Sequence, residues 1–330
     1  MEVIHTPVLL EETIHYLAPR APGELMIDAT LGEGGHSAAF LERFPELYIA
    51  GIDADGEIQA RARERLAPFG QRIRLYKRWA DDFFTDYPVD LPFPDTILFD
   101  LGISLFHYEG SGRGFSFMRD EYLDMRLDTS SGKTAADLIA SLSEKDFADL
   151  LYNNAGERFS RRIASAVHSA KKQNPITSTT ALAELVAASV PASYRHGSIH
   201  PATRTFQALR MAVNNEADNL PSMLEKALEK LKIGGRMGVI SFHSGEDRKV
   251  KNFFREKSRD CTQPDMTTGR GHARLSIQPD APISRSVGIC PVKILTRKPI
   301  SAGDEECRKN PPSRSAKFRA VEKIDTGVAS

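Results

Sequence analysis

Cysteine is scarce in this chain, with Cys261, Cys290 and Cys307 the only three in 330 residues, all far apart. That excludes a disulfide framework and the short ligand spacing of a zinc or redox pair, so the cysteines are read as reduced thiols and no metal is expected. Long apolar runs are absent too. No stretch approaches the roughly 18 residues of a membrane-spanning helix, and the opening MEVIHTPVLLEE lacks a basic, then apolar, leader pattern. A cytoplasmic protein with no membrane contact is the expectation. Net charge is missing as well, since 44 Lys+Arg balance 44 Asp+Glu, but the balance is uneven along the chain. From Ser241 onward 18 basic residues face 11 acidic ones, which leaves that part at +7 and the remainder at −7. The asymmetry fits a polyanionic partner and equally a solvated surface of mixed charge. What is present, 41% hydrophobic and 27% charged residues, excludes disordered and fibrous classes.

Short apolar runs alternate with helical patterns over the first hundred residues. Leu25–Ala29, Tyr48–Asp53, Ile73–Tyr76 and Asp95–Asp100 read as strands, His36–Arg43 and Glu57–Leu66 as helices. Strands that are apolar throughout belong to a sheet covered on both faces, so a doubly wound α/β sheet is predicted. A loop rich in Gly and Ser (Glu109–Ser116) then leads into helical spacing at Thr134–Ser141, Ser143–Asn153, Glu157–Lys172, Thr179–Val190 and Pro201–Asn215. Ser143 to Asp146 resembles a capping box, and Pro201 suits a first helical position. Helix Met223–Leu231, strand Met237–Phe242 and a closing hairpin of Val292–Arg297 with Ser315–Val321 bring the count to seven strands.

Strand LMIDA runs into Thr30-Leu-Gly-Glu-Gly-Gly-His36 and a helix, and Asp53 ends the next strand 19 residues after Gly34. A glycine turn there lets a ligand approach the backbone, and the acidic strand end can accept from two ribose hydroxyls. The pattern implies a nucleoside cofactor. A dinucleotide would put its pyrophosphate on the helix N-terminus, where Asp28 and Glu33 oppose it, and Ser37 occupies the third glycine position. S-adenosylmethionine carries no phosphate, and its ammonium and sulfonium favour Asp28, Glu33 and Asp100. Trp79, the only tryptophan, follows the third strand and either flanks the adenine or serves as a core aromatic.

Asp100 ends the fourth strand in FDLGIS, at the sheet edge where ligands bind in such folds. An exocyclic aromatic amine is a poor nucleophile because its lone pair is delocalised into the ring. Asp100 and Ser104 could accept from its N–H groups and orient the lone pair toward a sulfonium. The same residues could instead contact the cofactor or cap the next turn. The position matches the Asp/Asn-Pro-Pro-aromatic signature of amino-methyltransferases, with Leu101 and Gly102 in place of the prolines.

Longer strings carry a resemblance: HTPVLLEE (5–12), GEGGHS (32–37), RGFSFMRD with LDMRLD (113–128), HPATRTFQALRMAVNNE (200–216), FHSGEDRKVK (242–251) and NPPSRSAKFRA (310–320). Together they make the chain similar, over nearly its whole length, to the ribosomal RNA small subunit methyltransferase H family, also called MraW. The resemblance implies methylation of N4 of a decoding-region cytosine in 16S rRNA by S-adenosylmethionine, with the RNA inside the small ribosomal subunit; a homodimer is left open. It implies a Rossmann-like class I methyltransferase sheet, residues 1–110 and 214–330, interrupted by an all-helical domain, 111–213, that holds RNA. Cofactor contacts carry over to Gly34, Gly35, His36, Asp53, Asp100 and His107, with Trp79 where the family has Phe. Ser104-Leu-Phe-His-Tyr-Glu109 departs from the family's Ser-Ser-x-Gln-Leu-Asp, His107 standing for Gln, and Gly245 replaces a Leu. Arg204, Arg210, His243 and Asp247 are candidate substrate contacts, and Arg314, Lys317 and Arg319 candidate phosphate contacts. Two rival readings remain at this point, a nicotinamide-dependent oxidoreductase and a non-catalytic RNA-binding or assembly factor with a retained nucleoside pocket.

Overall fold

The computed structural model describes residues 7–197, 199–258 and 291–325. Cys261, Cys290 and His5 lie outside them, and Cys307 is half-buried. Seven strands form one sheet in the order β3-β2-β1-β4-β5-β7-β6. They are β1 (Leu25–Asp28), β2 (Tyr48–Asp53), β3 (Ile73–Lys77), β4 (Thr96–Asp100), β5 (Arg236–Ser241), β6 (Val292–Ile294) and β7 (Lys317–Lys323). β1 to β5 are parallel; β7 inserts antiparallel between β5 and β6. This is the doubly wound, seven-stranded α/β sheet that the sequence pattern implied. The last two strands are neighbours as expected, but helix Asp304–Lys309 lies in their connection in place of a tight hairpin turn.

Apolar runs without alternation are explained by burial of the central strands on both faces. Side chains still alternate between the two layers, as strand geometry requires. Ile27, Ile97, Phe99, Met237 and Val239 pack with Phe83, Phe84, Leu224 and Leu228 on one face. Met26, Ile49, Leu98 and Ile240 pack with Leu17, Phe40, Leu41 and Leu66 on the other. A third apolar cluster, from Phe115 to Leu209, holds the helical segment together by itself and includes Phe147, Leu151, Ile163 and Val167.

Helix boundaries differ from expectation where side chains act as caps. Thr134 and Asp137 form the reciprocal capping box, whereas Ser143 Oγ accepts from the Asp146 amide and donates to its carboxylate, without the return bond from the Ser143 backbone N–H. Glu157 precedes its helix, which runs Ser160–Lys171, because its carboxylate accepts from the Phe159 amide at 2.8 Å. Pro201 is not a first helical residue: the helix is Thr203–Val213, and the proline sits in the turn where the Thr203 amide donates to His200. The next helix starts early, at Glu216, with Pro221 in its second turn.

Candidate active site

A cavity of about 930 Å³ opens at the carboxyl ends of β1, β2 and β4 and extends between the sheet and the helical segment. That is near the upper end of ligand pockets, roughly 300–1,000 Å³, so it has room for a cofactor and part of a second substrate. Gly32, Glu33, Gly35, His36, Asp53, Trp79, Asp100, Ser104, His107, Arg210 and His243 all line it.

The turn after β1 is built by glycines of different kinds. Gly34 has φ 74° and caps helix Gly35–Arg43; a Cβ there would lie 2.8 Å from Leu66 Cδ1. It makes the turn possible and is itself set back from the cavity lining, between Glu33 and Gly35, which do line it. Asp53 fixes the turn from β2: its Oδ2 accepts from Gly32 N at 2.8 Å and its Oδ1 from Asp55 N at 2.9 Å. Each oxygen keeps a lone pair for a further donor. Burial raises its pKa above the usual carboxylate range.

Asp28 sits beneath the turn, fully buried, with Ser37 Oγ donating to Oδ2 at 2.7 Å and no partner on Oδ1. Burial pushes its pKa to about 6, against the pull of the hydrogen bonds from Ser37 and the Thr30 backbone. The Asp100 carboxyl is also held well above the ordinary carboxylate range, by burial first and then by the charges of Asp28 and Glu246. Its Oδ1 has no partner, and its Oδ2 lies 3.5 Å from His36 Nδ1. His36 Nε2 is 3.0 Å from the carbonyl of Val8, which can only accept, so Nε2 carries a proton there and Nδ1 is the ring atom that faces Asp100.

Ser104 caps helix Leu105–Glu109, its Oγ accepting from Phe106 N at 3.2 Å. His107 follows in that helix and is buried, its Nε2 2.8 Å from Asp55 Oδ2. Arg113 meets the same oxygen and also donates to the carbonyls of Arg126 and Leu127 at 3.0 and 3.1 Å. Burial opposes the charge of Asp55, but the bonds from His107 and Arg113 win and hold it below the usual range.

The candidate substrate contacts divide. Arg210 is buried in the cavity wall, paired with Glu216 Oε2 at 2.9 Å, while Arg204 does not line the cavity and reaches Gly156 O at 3.4 Å. His243 lines the cavity and caps helix Ser244–Lys257 through the Glu246 amide. Asp247 does not: Arg319 grips both its oxygens, at 2.7 and 3.2 Å. The buried Arg319 is therefore a core ion pair and not a phosphate contact; Lys317 Nζ is 3.8 Å from Asp247, and Arg314 is exposed.

A model of the MraW methylase family matches residues 2–324. The chain belongs to the MraW methylase family. Relatives within it include ribosomal RNA small subunit methyltransferase H of Treponema denticola, 50% identical over 98% of this chain and 99% of its own. Those of Treponema pallidum (39%; 97% and 92%) and Syntrophobacter fumaroxidans (43%; 97% and 96%) carry the same name.

Within this MraW methylase chain, several polar groups at the site escaped sequence reasoning. Asp55, Arg113, Glu216 and Glu246 are all paired within the fold. Asp55 had a local signal, an Asp before Gly56-Glu57 as a helix cap, and its carboxylate does accept from the Glu57 amide. The others had none beyond their places in the motif strings.

Proposed function

We propose that this chain transfers a methyl group from S-adenosylmethionine to the exocyclic N4 amine of a decoding-region cytosine in 16S rRNA. The observation that carries it is the acidic character of the glycine-turn end of the cavity, where Glu33, Asp53 and Asp100 line the wall and Asp28 lies beneath. Such a wall opposes a pyrophosphate and suits a cationic, phosphate-free nucleoside, which disfavours the nicotinamide reading. Orphaned oxygens on Asp28 and Asp100 fit the same group. The names of the relatives support ribosomal RNA of the small subunit as substrate, and the motif resemblance supports cytosine N4.

When bound, the cofactor supplies an electrophilic methyl group on a sulfonium. Asp53 would hold its ribose hydroxyls, Gly32 and Gly35 allow close backbone approach, Trp79 flanks the base, and Asp100 with His36 faces the cationic end. Asp100 has the second task of accepting an N–H of the target amine, so that the nitrogen lone pair points at the methyl carbon. Ser104 already accepts from a backbone amide and contributes less. The helical segment, residues 111–213, closes the far side and is the proposed RNA-holding domain, acting on the assembled small subunit. Among the described residues no helix is long and apolar enough to cross a membrane.

Incubation with labelled cofactor and 16S rRNA, or small subunits from a strain lacking the modification, should yield N4-methylcytosine on nuclease digestion. Transfer to neither would refute the proposal. Asp100→Asn should bind cofactor within about tenfold of the native chain and lose about 10²-fold or more in kcat. A native chain that binds cofactor and RNA but never turns over would establish the assembly-factor reading instead.

A further inference from the structure

The helices Thr203–Val213 and Glu216–Lys230 meet at Asn214 and Asn215. Asn215 takes a left-handed φ of 50°, a conformation Asn tolerates, and reverses the chain sharply. Asn214 locks the turn: its Oδ1 accepts from Leu127 N at 2.9 Å, and its Nδ2 donates to Met125 O at 2.8 Å and Arg210 O at 2.9 Å. The reversal lays Glu216 on Arg210, whose Nη1 also lies 3.2 Å from the Tyr108 hydroxyl. Burial opposes the charge on Arg210, but Glu216 outweighs it and keeps the guanidinium ionised.

The pair is incompletely satisfied. Arg210 is 8% exposed, and its Nε is buried without an acceptor; Glu216 Oε1 is buried without a donor. A buried donor left without an acceptor is costly, and at a cavity wall a ligand can complete it. Both residues line the cavity that also holds Asp100, and Glu246 links them electrostatically, since its charge raises the pKa of both Asp100 and Glu216.

We propose that Arg210 reads the target base, donating to the N3 and O2 acceptors of cytosine, while Glu216 acts as the positioning residue that holds the guanidinium plane. The inference rests on the cytosine reading above. Cytosine presents an N–H donor at position 4 and acceptors at positions 3 and 2; uracil presents an acceptor at 4 and a donor at 3. Asp100 at position 4 and Arg210 at position 3 complement the first pattern and clash with the second. Burial and the Glu216 pair suit Arg210 to a base edge inside the cavity and not to a solvated phosphate.

The test compares kcat/KM on substrate RNA carrying cytidine or 3-deazacytidine at the target position, assembled into small subunits. Deaza substitution removes the N3 acceptor and keeps the N4 amine. The native chain should lose about tenfold or more in kcat/KM on the deaza substrate. Arg210→Gln combined with Glu216→Gln removes both charges and leaves neither buried alone, and should treat the two RNAs alike. Arg210→Lys, which keeps a charge for Glu216, guards against loss of the fold and should also lose the discrimination, because an ammonium on a flexible stem cannot replace the planar Nε donor. Unchanged binding of S-adenosylhomocysteine shows that the variants remain folded. Retained discrimination in folded variants, or equal rates of the native chain on both RNAs, overturns the Arg210 assignment alone. A native chain inert on both RNAs overturns the proposed function and this assignment with it.

Discussion

Replacing Asp28 by Asn should leave stability almost unchanged near pH 4 and raise it by about 3 kcal/mol near pH 8, relative to the native chain without cofactor. Asp28 is 1% exposed and has one side-chain donor, Ser37 Oγ, with Oδ1 unpartnered. Burial is the largest influence and carries the pKa from 3.8 in the open chain to about 6 in the fold. A pKa raised on folding means that the protonated acid is tolerated and the anion is not. The stability is therefore present below about pH 4 and is lost as pH rises through about 6. At 1.36 kcal/mol per unit, the gap of about two units gives the magnitude. Asparagine keeps an oxygen for Ser37 and never ionises, so it escapes the loss. Urea unfolding of both chains at several pH values and fixed ionic strength would show their difference widening with pH. A difference constant from about pH 4 to 8 would mean that the anion is accommodated without cost, refuting the burial argument.

The same logic at Asp100 gives a binding prediction. Its pKa is raised well above the ordinary value by burial, then by Asp28 and Glu246, and a cationic cofactor favours the anion. Affinity for S-adenosylmethionine should rise with pH, with proton release visible as buffer-dependent enthalpy in calorimetry; release of no proton would contradict the assignment. Arg113→Met leaves Asp55 in a buried site with the His107 N–H as its one remaining side-chain donor, and should cost about 3–5 kcal/mol in chemical denaturation. Adding Asp55→Asn should recover much of that. Gly34→Ala forces an L-residue to φ 74° and drives Cβ to 2.8 Å from Leu66, so it should destabilise by about 1–2 kcal/mol or more and weaken cofactor binding indirectly.

The parts of the fold legible in the sequence are those in which local pattern and tertiary role coincide. Met26 and Ile27 face opposite layers, so an uninterrupted apolar run was itself the signal of a central strand. The glycine turn and Asp53 were legible because a tight turn demands particular residues at particular spacing. Order in the last part of the sheet was not, since nothing in Val292–Ile294 or Lys317–Lys323 states which of them meets β5. Charged residues were misread for a related reason. Arg319 looked like a phosphate contact because cations are usually exposed, yet its partner Asp247 lies 72 residues away in sequence. Arg210 and Glu216 are only six apart, but the left-handed Asn215 that joins them is a tertiary decision enforced by Asn214.

The wall from Ser104 to Glu109, where the sequence leaves its family, shows how such a departure can be absorbed. Asp55 ends the β2 turn, and its Oδ1 is spent on capping the following helix at Glu57 N. Its Oδ2 collects two donors, Arg113 and His107 Nε2. The carboxylate is held ionised by them, so at this oxygen the requirement on residue 107 is one N–H at that point in space. Imidazole supplies it from Nε2, and the side-chain amide of the family's glutamine has an N–H to offer as well. A ring is stiffer than an amide arm, however, and edge contact with Phe115 at 5.2 Å fixes it further. His107→Gln should therefore fold and bind cofactor close to native levels, whereas His107→Leu, of similar bulk without a donor, should destabilise the protein by about 1–3 kcal/mol. Equal stability of the two variants in denaturant would show that packing against Phe115, and not the bond to Asp55, is what residue 107 supplies.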